Sequence, residues 1–170
     1  LQSVGVQVDR EKRKQLIRNA VNDGASKLKA RPDFPDVLLD ELTDLVESPL
    51  LIDASFDASF LGLPAEVLST VMRVHQRYIP LYRQEALIDL LALNARETLL
   101  NRFLFISNGL EESVKIIQSG NERVLKARLA DARFFLSSDL SISSNERVEK
   151  LSRVNFAEGL GSLLDRVSRM

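Results

Sequence analysis

The sequence reads HQRYIPLY at residues 75–82, FLFISN at residues 103–108 and SGNERVLKARLADARFF at residues 119–135, and these three segments decide the fold. Aromatic and β-branched residues cluster in the first two segments, which is typical of β-strands. In the third, Ser119 and Glu122 are spaced as a capping box, which predicts that a helix begins there. Apolar residues then recur at helical spacing, at Leu125, Leu129, Ala132 and Leu136.

The same helix carries a cationic face, which consists of Arg123, Lys126 and Arg133. These side chains fall on a different face from the apolar stripe, whereas Arg128 points elsewhere. A cationic face on a helix with apolar backing suits a polyanion such as RNA. A solvated charged face is the alternative, because Asp131 is close enough in sequence to neutralise part of the charge.

A second group of candidate RNA contacts lies at and just before the start of the segment 75–82. It consists of Arg73, His75, Gln76 and Arg77, and Asn121 in the helix completes the candidate set. His75 is the only histidine, which excludes histidine-rich metal sites. No carboxylate and nucleophile stand beside it in a pattern typical of catalysis, so we predict no catalytic residue and no metal site.

Composition narrows the classes of function further. The 170 residues are 45% hydrophobic and 28% charged, which allows a packed core. The net charge is −1, with 23 basic and 24 acidic residues, so any RNA binding must come from a local patch. The absence of cysteine removes disulfides and thiolate metal sites and is compatible with a reducing cytosol. We expect no membrane span and no signal peptide, and hence a cytoplasmic protein.

The rest of the chain alternates between helical and extended patterns. Periodicity predicts a strand over residues 1–8, a helix from Asp9 to Leu28, a helix capped by Asp36, an extended segment over residues 50–60 and a helix with Pro64 at its first position. Prolines break the chain between the first two helices, at residues 31–35. Later patterns predict a short helix over residues 111–118, a polar linker over 137–145 and helix over 145–170.

These elements predict an α+β fold. An antiparallel sheet includes residues 50–60, 78–82 and 103–107, and helices pack on one side of it. We divide the chain into an α+β region at residues 1–140 and, at residues 141–170, a linker with the first helical part of a following domain. Because the chain begins at a leucine and ends inside a helical pattern, we expect a fragment of a longer protein.

Four phrases together resemble a known family. They are LPAEVL at residues 63–68, HQRYIP at residues 75–80, GNERVLKARLADARFF at residues 120–135 and FAEGLGSLLDRV at residues 156–167. Their residues, order and separation are similar to those of the β subunit of bacterial glycyl-tRNA synthetase. The resemblance extends from about Asp44 to Met170, and it also suggests that a helical domain follows.

The resemblance implies a part of an enzyme that charges tRNA with glycine at the expense of ATP. In this family, glycine activation with ATP and magnesium occurs on a separate α subunit, and the β subunit mainly handles tRNA. The resemblance therefore implies no reacting residue and no cofactor in this chain. It implies the α subunit and tRNA(Gly) as partners in a heterotetramer.

Two alternatives stay open. An accessory hydrolytic domain that edits mischarged tRNA would use His75 with Asn108 or Asn121. A scaffold that docks the α subunit would use residues 84–101, where the sequence departs from the short polar hairpin connection expected of the family. Leucines in this insertion predict one or two extra helices, at Leu87, Leu90, Leu91 and Leu93.

Overall fold

The computed structural model of the chain describes residues 5–85, 94–108 and 110–170. Tertiary contacts divide the chain into a first unit, Leu1–Asp131, and a second unit, Ala132–Met170. The elements of the first unit are α1 (Arg10–Lys27), β1 (Ala30–Pro32), α2 (Asp36–Leu45), β2 (Pro49–Ser55), α3 (Ala65–Thr70), β3 (Ile79–Arg83), β4 (Leu99–Asn108) and the start of α4 (Val114–Leu140). The second unit adds α5 (Ser144–Lys150), β5 (Asn155–Ala157), β6 (Gly161–Ser162) and α6 (Leu163–Ser168).

The first unit is built on a four-stranded sheet with the order β1-β3-β4-β2. Every neighbouring pair is antiparallel, and β2 pairs with β4 from Pro49 opposite Asn108 to Ser55 opposite Arg102. Strand β2 therefore forms one edge of the sheet. The predicted α+β class with an antiparallel sheet is confirmed, and the predicted strands at 78–82 and 103–107 correspond to β3 and β4.

Helices α1 and α2 cover one face of this sheet. Their buried apolar residues form one cluster with the strands, at Ile17, Val21, Ala25, Leu38, Leu39, Leu42, Ile79, Leu81, Leu104 and Ile106. Full burial of a Leu, Ile or Val side chain contributes about 1.5–3 kcal/mol, so this cluster stabilises the packing of both helices on the sheet. Helix α1 begins as predicted, since the Asp9 side chain accepts a hydrogen bond from the Lys12 N–H at 3.1 Å.

The opposite face of the sheet carries aromatic side chains. Successive strand residues alternate between faces, so Phe103 and Phe105 point away from Leu104. Their rings lie 4.8 and 5.5 Å from the ring of Tyr78, measured between centroids. Tyr78 precedes β3 and is buried with 5% of its surface exposed.

The structure differs most from the predicted elements at the start of α4. The predicted capping box at Ser119 is wrong, because one continuous helix begins at Val114 and passes through Gly120. Glu122 does not cap its own helix, since its carboxylate accepts hydrogen bonds from Ser55 of β2. The separate short helix predicted over residues 111–118 is a 3₁₀ turn, Glu111–Ser113, followed by the first turn of α4.

The second unit is less helical than predicted. The helix α4 continues to Leu140, where a linker was predicted, and the capping box of Ser143 and Glu146 starts α5. Residues 155–162 form a small hairpin of β5 and β6 instead of helix. Gly159 and Gly161 adopt φ of 76° and 83°, a conformation that favours glycine and reverses the chain.

Other boundaries differ locally. The described part of the predicted first strand, residues 5–8, forms no strand, and β1 occupies the segment where prolines predicted only a break. Strand β2 ends at Ser55, and a 3₁₀ turn, Ala58–Gly62, replaces the rest of the extended segment. Pro35, not Asp36, is the N-cap residue of α2, so this helix begins at Asp36, one residue earlier than its predicted cap implied. Pro64 is the N-cap residue of α3, which begins at Ala65, one residue later than predicted.

The predicted insertion lies mostly outside the described residues. The four leucines that predicted extra helices are not among the described residues; they are Leu87, Leu90, Leu91 and Leu93. On either side, residues 84–85 and 94–98 form turns and irregular backbone, and residues 99–101 belong to β4, so no helix extends into these flanks.

Candidate nucleic-acid interface

The two arginines before β3 are held by carboxylates. The Arg73 Nη1 atom donates to both carboxylate oxygens of Asp33, at 2.8 and 2.9 Å. The Arg77 Nε atom donates to Glu41 of α2. These pairs neutralise both cations and connect the segment before β3 to β1 and α2. Both arginines are predicted RNA contacts from the sequence, and their folded environment favours a structural role.

A tight turn of the backbone between α3 and β3 positions these two arginines. One π-helical turn, Val71–His75, extends α3, and Arg77 then adopts a left-handed φ of 57°. The Tyr78 N–H donates to the carbonyl of Met72 at 2.9 Å, which closes the turn into β3. His75 is exposed at this turn, and no described side chain forms a hydrogen bond or ion pair with it.

Helix α4 is fixed against the free edge of the sheet by polar side chains. Gln118 donates an amide hydrogen to the carbonyl of Asp53 at 2.9 Å. One turn later, Glu122 accepts from the backbone N–H and the hydroxyl of Ser55, at 2.8 and 3.1 Å. These contacts satisfy backbone groups that an edge strand would otherwise leave exposed.

Asn121 lies on the same side of α4 and holds Tyr78. Its Oδ1 atom accepts a hydrogen bond from the Tyr78 hydroxyl at 2.5 Å, and its Nδ2 atom donates to the carbonyl of Ile117 at 2.7 Å. Burial raises the pKa of the Tyr78 hydroxyl, which keeps it a neutral donor. Asn121 therefore positions the aromatic cluster, a role that the sequence analysis missed because Tyr78 is 43 residues away.

In contrast to Arg73 and Arg77, which are paired with carboxylates, the cations of α4 in the first unit lie on the exposed side of the helix. Leu125 and Leu129 are fully buried, whereas Arg123 and Lys126 are exposed. No carboxylate in residues 5–85, 94–108 and 110–170 forms an ion pair with Arg123 or Lys126. Arg133, the third residue of the cationic face, is also exposed and belongs to the second unit.

Sequence reasoning overlooked a further cation on α4. Lys115 is exposed and lies eleven residues before Lys126, which corresponds to three helical turns and places both on one line along the helix. It too forms no ion pair with any residue of the described segments. The pattern was detectable, but the supposed helix start at Ser119 left Lys115 on a separate element.

Three of the predicted residues line one cavity. Gln76, Arg77 and Asn121 surround an open cavity of about 300 Å³, together with Asn108 at the end of β4. Its apolar wall comes from the end of α2 and the residue after it, from the residue before β3, from β4 and from the start of α4. These residues are Leu42, Leu45, Val46, Tyr78, Phe105, Ile106 and Ile117. His75 is not among the lining residues, so this cavity does not join it to Asn108 or Asn121.

The described residues offer no metal centre and no membrane span. No group of three His, Asp or Glu side chains within them is arranged to hold a metal ion. None of the described helices combines the length and the hydropathy needed to cross a bilayer.

The fold and its helix faces thus define an α+β protein with a sheet edge closed by a long helix and with exposed cations on that helix. A family model described as the glycyl-tRNA synthetase beta subunit matches residues 1–170. The chain therefore belongs to the glycyl-tRNA synthetase beta subunit family, and the resemblance stated from the four phrases is confirmed.

Curated relatives agree with this assignment. The glycine–tRNA ligase beta subunit of Acaryochloris marina is 41% identical over all 170 residues, which span 22% of that protein. The corresponding subunit of Gloeothece citriformis is 40% identical over the whole chain and 23% of its own length. That of Moorella thermoacetica is 40% identical over 165 residues, or 97% of this chain and 22% of its own length. The chain thus spans less than a quarter of these relatives.

Proposed function

We propose that this chain forms part of a glycine–tRNA ligase β subunit and contributes a tRNA-binding surface to the holoenzyme. The observation that carries the proposal is the exposed, unpaired state of Arg123 and Lys126 on a helix whose other side is fixed to the sheet. Lys115 extends the same surface. In this proposal, ATP-dependent activation of glycine, with magnesium, takes place on the α subunit in the cytoplasm, and residues 1–140 are the tRNA-binding and structural region.

Charge distribution supports the choice of this helix. Several arginines elsewhere in the first unit are held in ion pairs, as for Arg10 with Asp44, Arg18 with Asp36 and Arg102 with Asp53. A cation without a carboxylate partner can neutralise a phosphate without first breaking an internal pair. Each phosphate neutralised releases condensed counterions, which makes the affinity depend on salt. We therefore assign phosphate contacts to Arg123 and Lys126 ahead of Arg73 and Arg77.

The experiment measures tRNA(Gly) affinity of the holoenzyme against salt concentration. We expect the double variant Arg123→Ala/Lys126→Ala to bind more weakly and to lower the slope of log affinity against log salt by about two units. Arg128→Ala is the matched control, because Arg128 is exposed on the same helix but on another face.

The control variant should keep the wild-type slope. A double variant with unchanged affinity and unchanged slope would reject the assignment of phosphate contacts to α4. Circular dichroism of both variants checks that the helix remains folded.

A further inference from the structure

The cavity between α2, β4 and α4 has the composition of a small binding site. Its volume of about 300 Å³ lies at the lower end of the range for ligand pockets. Apolar side chains form most of its wall, and amide side chains contribute polar groups at Gln76, Asn108 and Asn121. All the described residues that line it belong to the first unit, so this cavity lies within one compact body.

The hydrogen bonds of the three amides show which of them are available to a ligand. Asn121 is engaged with Tyr78 and Ile117. Asn108 accepts through Oδ1 from the N–H groups of Glu47 and Ser48, at 3.2 and 2.9 Å. Its Nδ2 donors have no partner in the described segments, and neither has any part of the Gln76 amide. The cavity therefore offers donors from two amides and an acceptor from Gln76.

The charge at the cavity indicates a neutral ligand. Among the described residues that line it, Arg77 is the only charged one, and its guanidinium is paired with Glu41. A phosphate would have to compete with that carboxylate, whereas a neutral planar group would not. Side-chain amides read nucleobase edges through paired donors and acceptors. Unstacked bases of RNA bind in this way, with apolar or aromatic side chains against their faces.

We propose that this cavity receives one unpaired nucleobase of the tRNA, with Gln76 and Asn108 as its edge contacts. The inference rests on the proposed tRNA-binding function and adds a site for a base to the phosphate contacts of α4. Lys126 lies five residues beyond Asn121, about 8 Å along the helix axis.

The test combines variants of both partners in the holoenzyme. Gln76 forms no hydrogen bond with a described residue, so Gln76→Ala leaves the fold intact, and Gln76→Glu keeps the size while removing the amide donors. The RNA is tRNA(Gly), either intact or with one unpaired nucleotide at a time made abasic. Gln84→Ala is the matched control, since Gln84 is an exposed glutamine outside this cavity.

We expect Gln76→Ala to weaken tRNA binding by about tenfold without a change in salt slope, which is within the range for loss of one base-edge contact. Gln76→Glu should weaken binding at least as much, because it also adds a negative charge near the RNA. One abasic position should weaken the wild-type protein by a similar factor and cause no further loss in Gln76→Ala. Wild-type affinity in both Gln76 variants, or an equal effect of every abasic position on wild type and Gln76→Ala, would overturn the inference.

These experiments distinguish failure of the phosphate contacts of α4 from failure of the base cavity. A lower salt slope in Arg123→Ala/Lys126→Ala with unaffected Gln76 variants rejects the base cavity alone. An unchanged salt slope together with a Gln76 effect at one abasic position rejects the phosphate contacts of α4 and retains the cavity. Absence of tRNA binding by the wild-type holoenzyme rejects both.

Discussion

The Glu122 carboxylate of α4 accepts two hydrogen bonds from Ser55, at the end of edge strand β2, at 2.8 and 3.1 Å. Gln118, one helical turn earlier, donates to the Asp53 carbonyl on the same strand at 2.9 Å. One side chain of α4 that donates and another that accepts thus bind outer backbone groups of β2, as a fifth strand would. This arrangement blocks edge-to-edge pairing and orients the exposed side of α4.

Removal of the Glu122 carboxylate should loosen α4 from the sheet edge. We expect Glu122→Ala to lower the free energy of unfolding by about 1 kcal/mol, because two hydrogen bonds to a charged acceptor are lost at a partly exposed position. Urea unfolding followed by circular dichroism measures the change. Glu112→Ala, at an exposed glutamate before α4, serves as control and should stay within about 0.5 kcal/mol of wild type. Equal stability of the two variants would contradict the edge contact.

Tyr78, just before β3, and Tyr82, within β3, should respond differently to loss of their hydroxyls. Tyr78→Phe removes the bond to Asn121 and should destabilise the protein by about 1 kcal/mol. The buried Tyr82 hydroxyl has no hydrogen-bond partner in the described segments, and the neighbouring Ser69 hydroxyl donates to Asp33 instead. Tyr82→Phe should therefore leave stability unchanged or raise it. Thermal unfolding of both variants tests the contrast, and a larger loss for Tyr82→Phe would refute it.

The Arg73 side chain should matter for stability and not for the salt dependence of RNA binding. Asp33 is mostly buried, with 18% of its side chain exposed, so the pair with Arg73 should be worth about 1 kcal/mol, near the top of the range for exposed pairs. A double-mutant cycle with Arg73→Ala and Asp33→Ala measures this coupling. The salt slope of tRNA binding in Arg73→Ala should match wild type; a fall of one unit would instead place a phosphate contact at Arg73.

Alanine substitutions at two helical glycines separate the effect of side-chain packing on stability from that of intrinsic helix propensity. A Cβ atom at Gly120 of α4 would meet nothing within 4 Å, so Gly120→Ala should stabilise the protein by about 1 kcal/mol. At Gly24 of α1, the same atom would lie 2.7 Å from the Leu51 side chain and 3.4 Å from that of Leu104. The propensity gain there should be offset by overpacking. Denaturant midpoints compare the two variants, and a greater gain for Gly24→Ala would contradict this packing.

Acid should weaken the contact between α1 and α2. Hydrogen bonds from Lys14 and Arg10 hold the pKa of Asp40 below its usual 3.8, and Arg10 does the same for Asp44. A lowered folded-state pKa means that Asp40 stabilises the fold above pH 3.8 and that this contribution is lost as pH falls through the folded pKa. Asp40→Asn should therefore be less stable than wild type at pH 6, and the difference should vanish in acid.

The pH experiment compares urea unfolding of Asp40→Asn and wild type from pH 6 to pH 2. Asp23→Asn is the control, because Asp23 is an exposed aspartate of α1 that forms no ion pair with a described residue. Its stability difference from wild type should not shrink in acid as that of Asp40→Asn does. A constant deficit of Asp40→Asn at every pH would show that the ion pairs contribute nothing.

Local patterns predicted the elements whose stability is local in origin. The spacing of apolar residues in α1 and the N-cap at Asp9 predicted that helix within one residue. Aromatic and β-branched runs likewise predicted β3 and β4. By contrast, the capping-box spacing of Ser119 and Glu122 suggested a helix start where α4 continues, since local sequence preference is a weak guide once tertiary contacts form.

The sequence by itself determined the fold class, the central strands, the family and the separation of apolar from cationic positions on α4. These properties follow from residue spacing along one element, which a linear pattern contains. Only the tertiary structure decided which cations are neutralised, because Arg73 and Arg77 meet carboxylates 40 and 36 residues away. It also decided that Glu122 closes a sheet edge 67 residues distant and that Gln76 and Asn108 share a cavity. Such pairings depend on how strands and helices are brought together, and no local spacing encodes them.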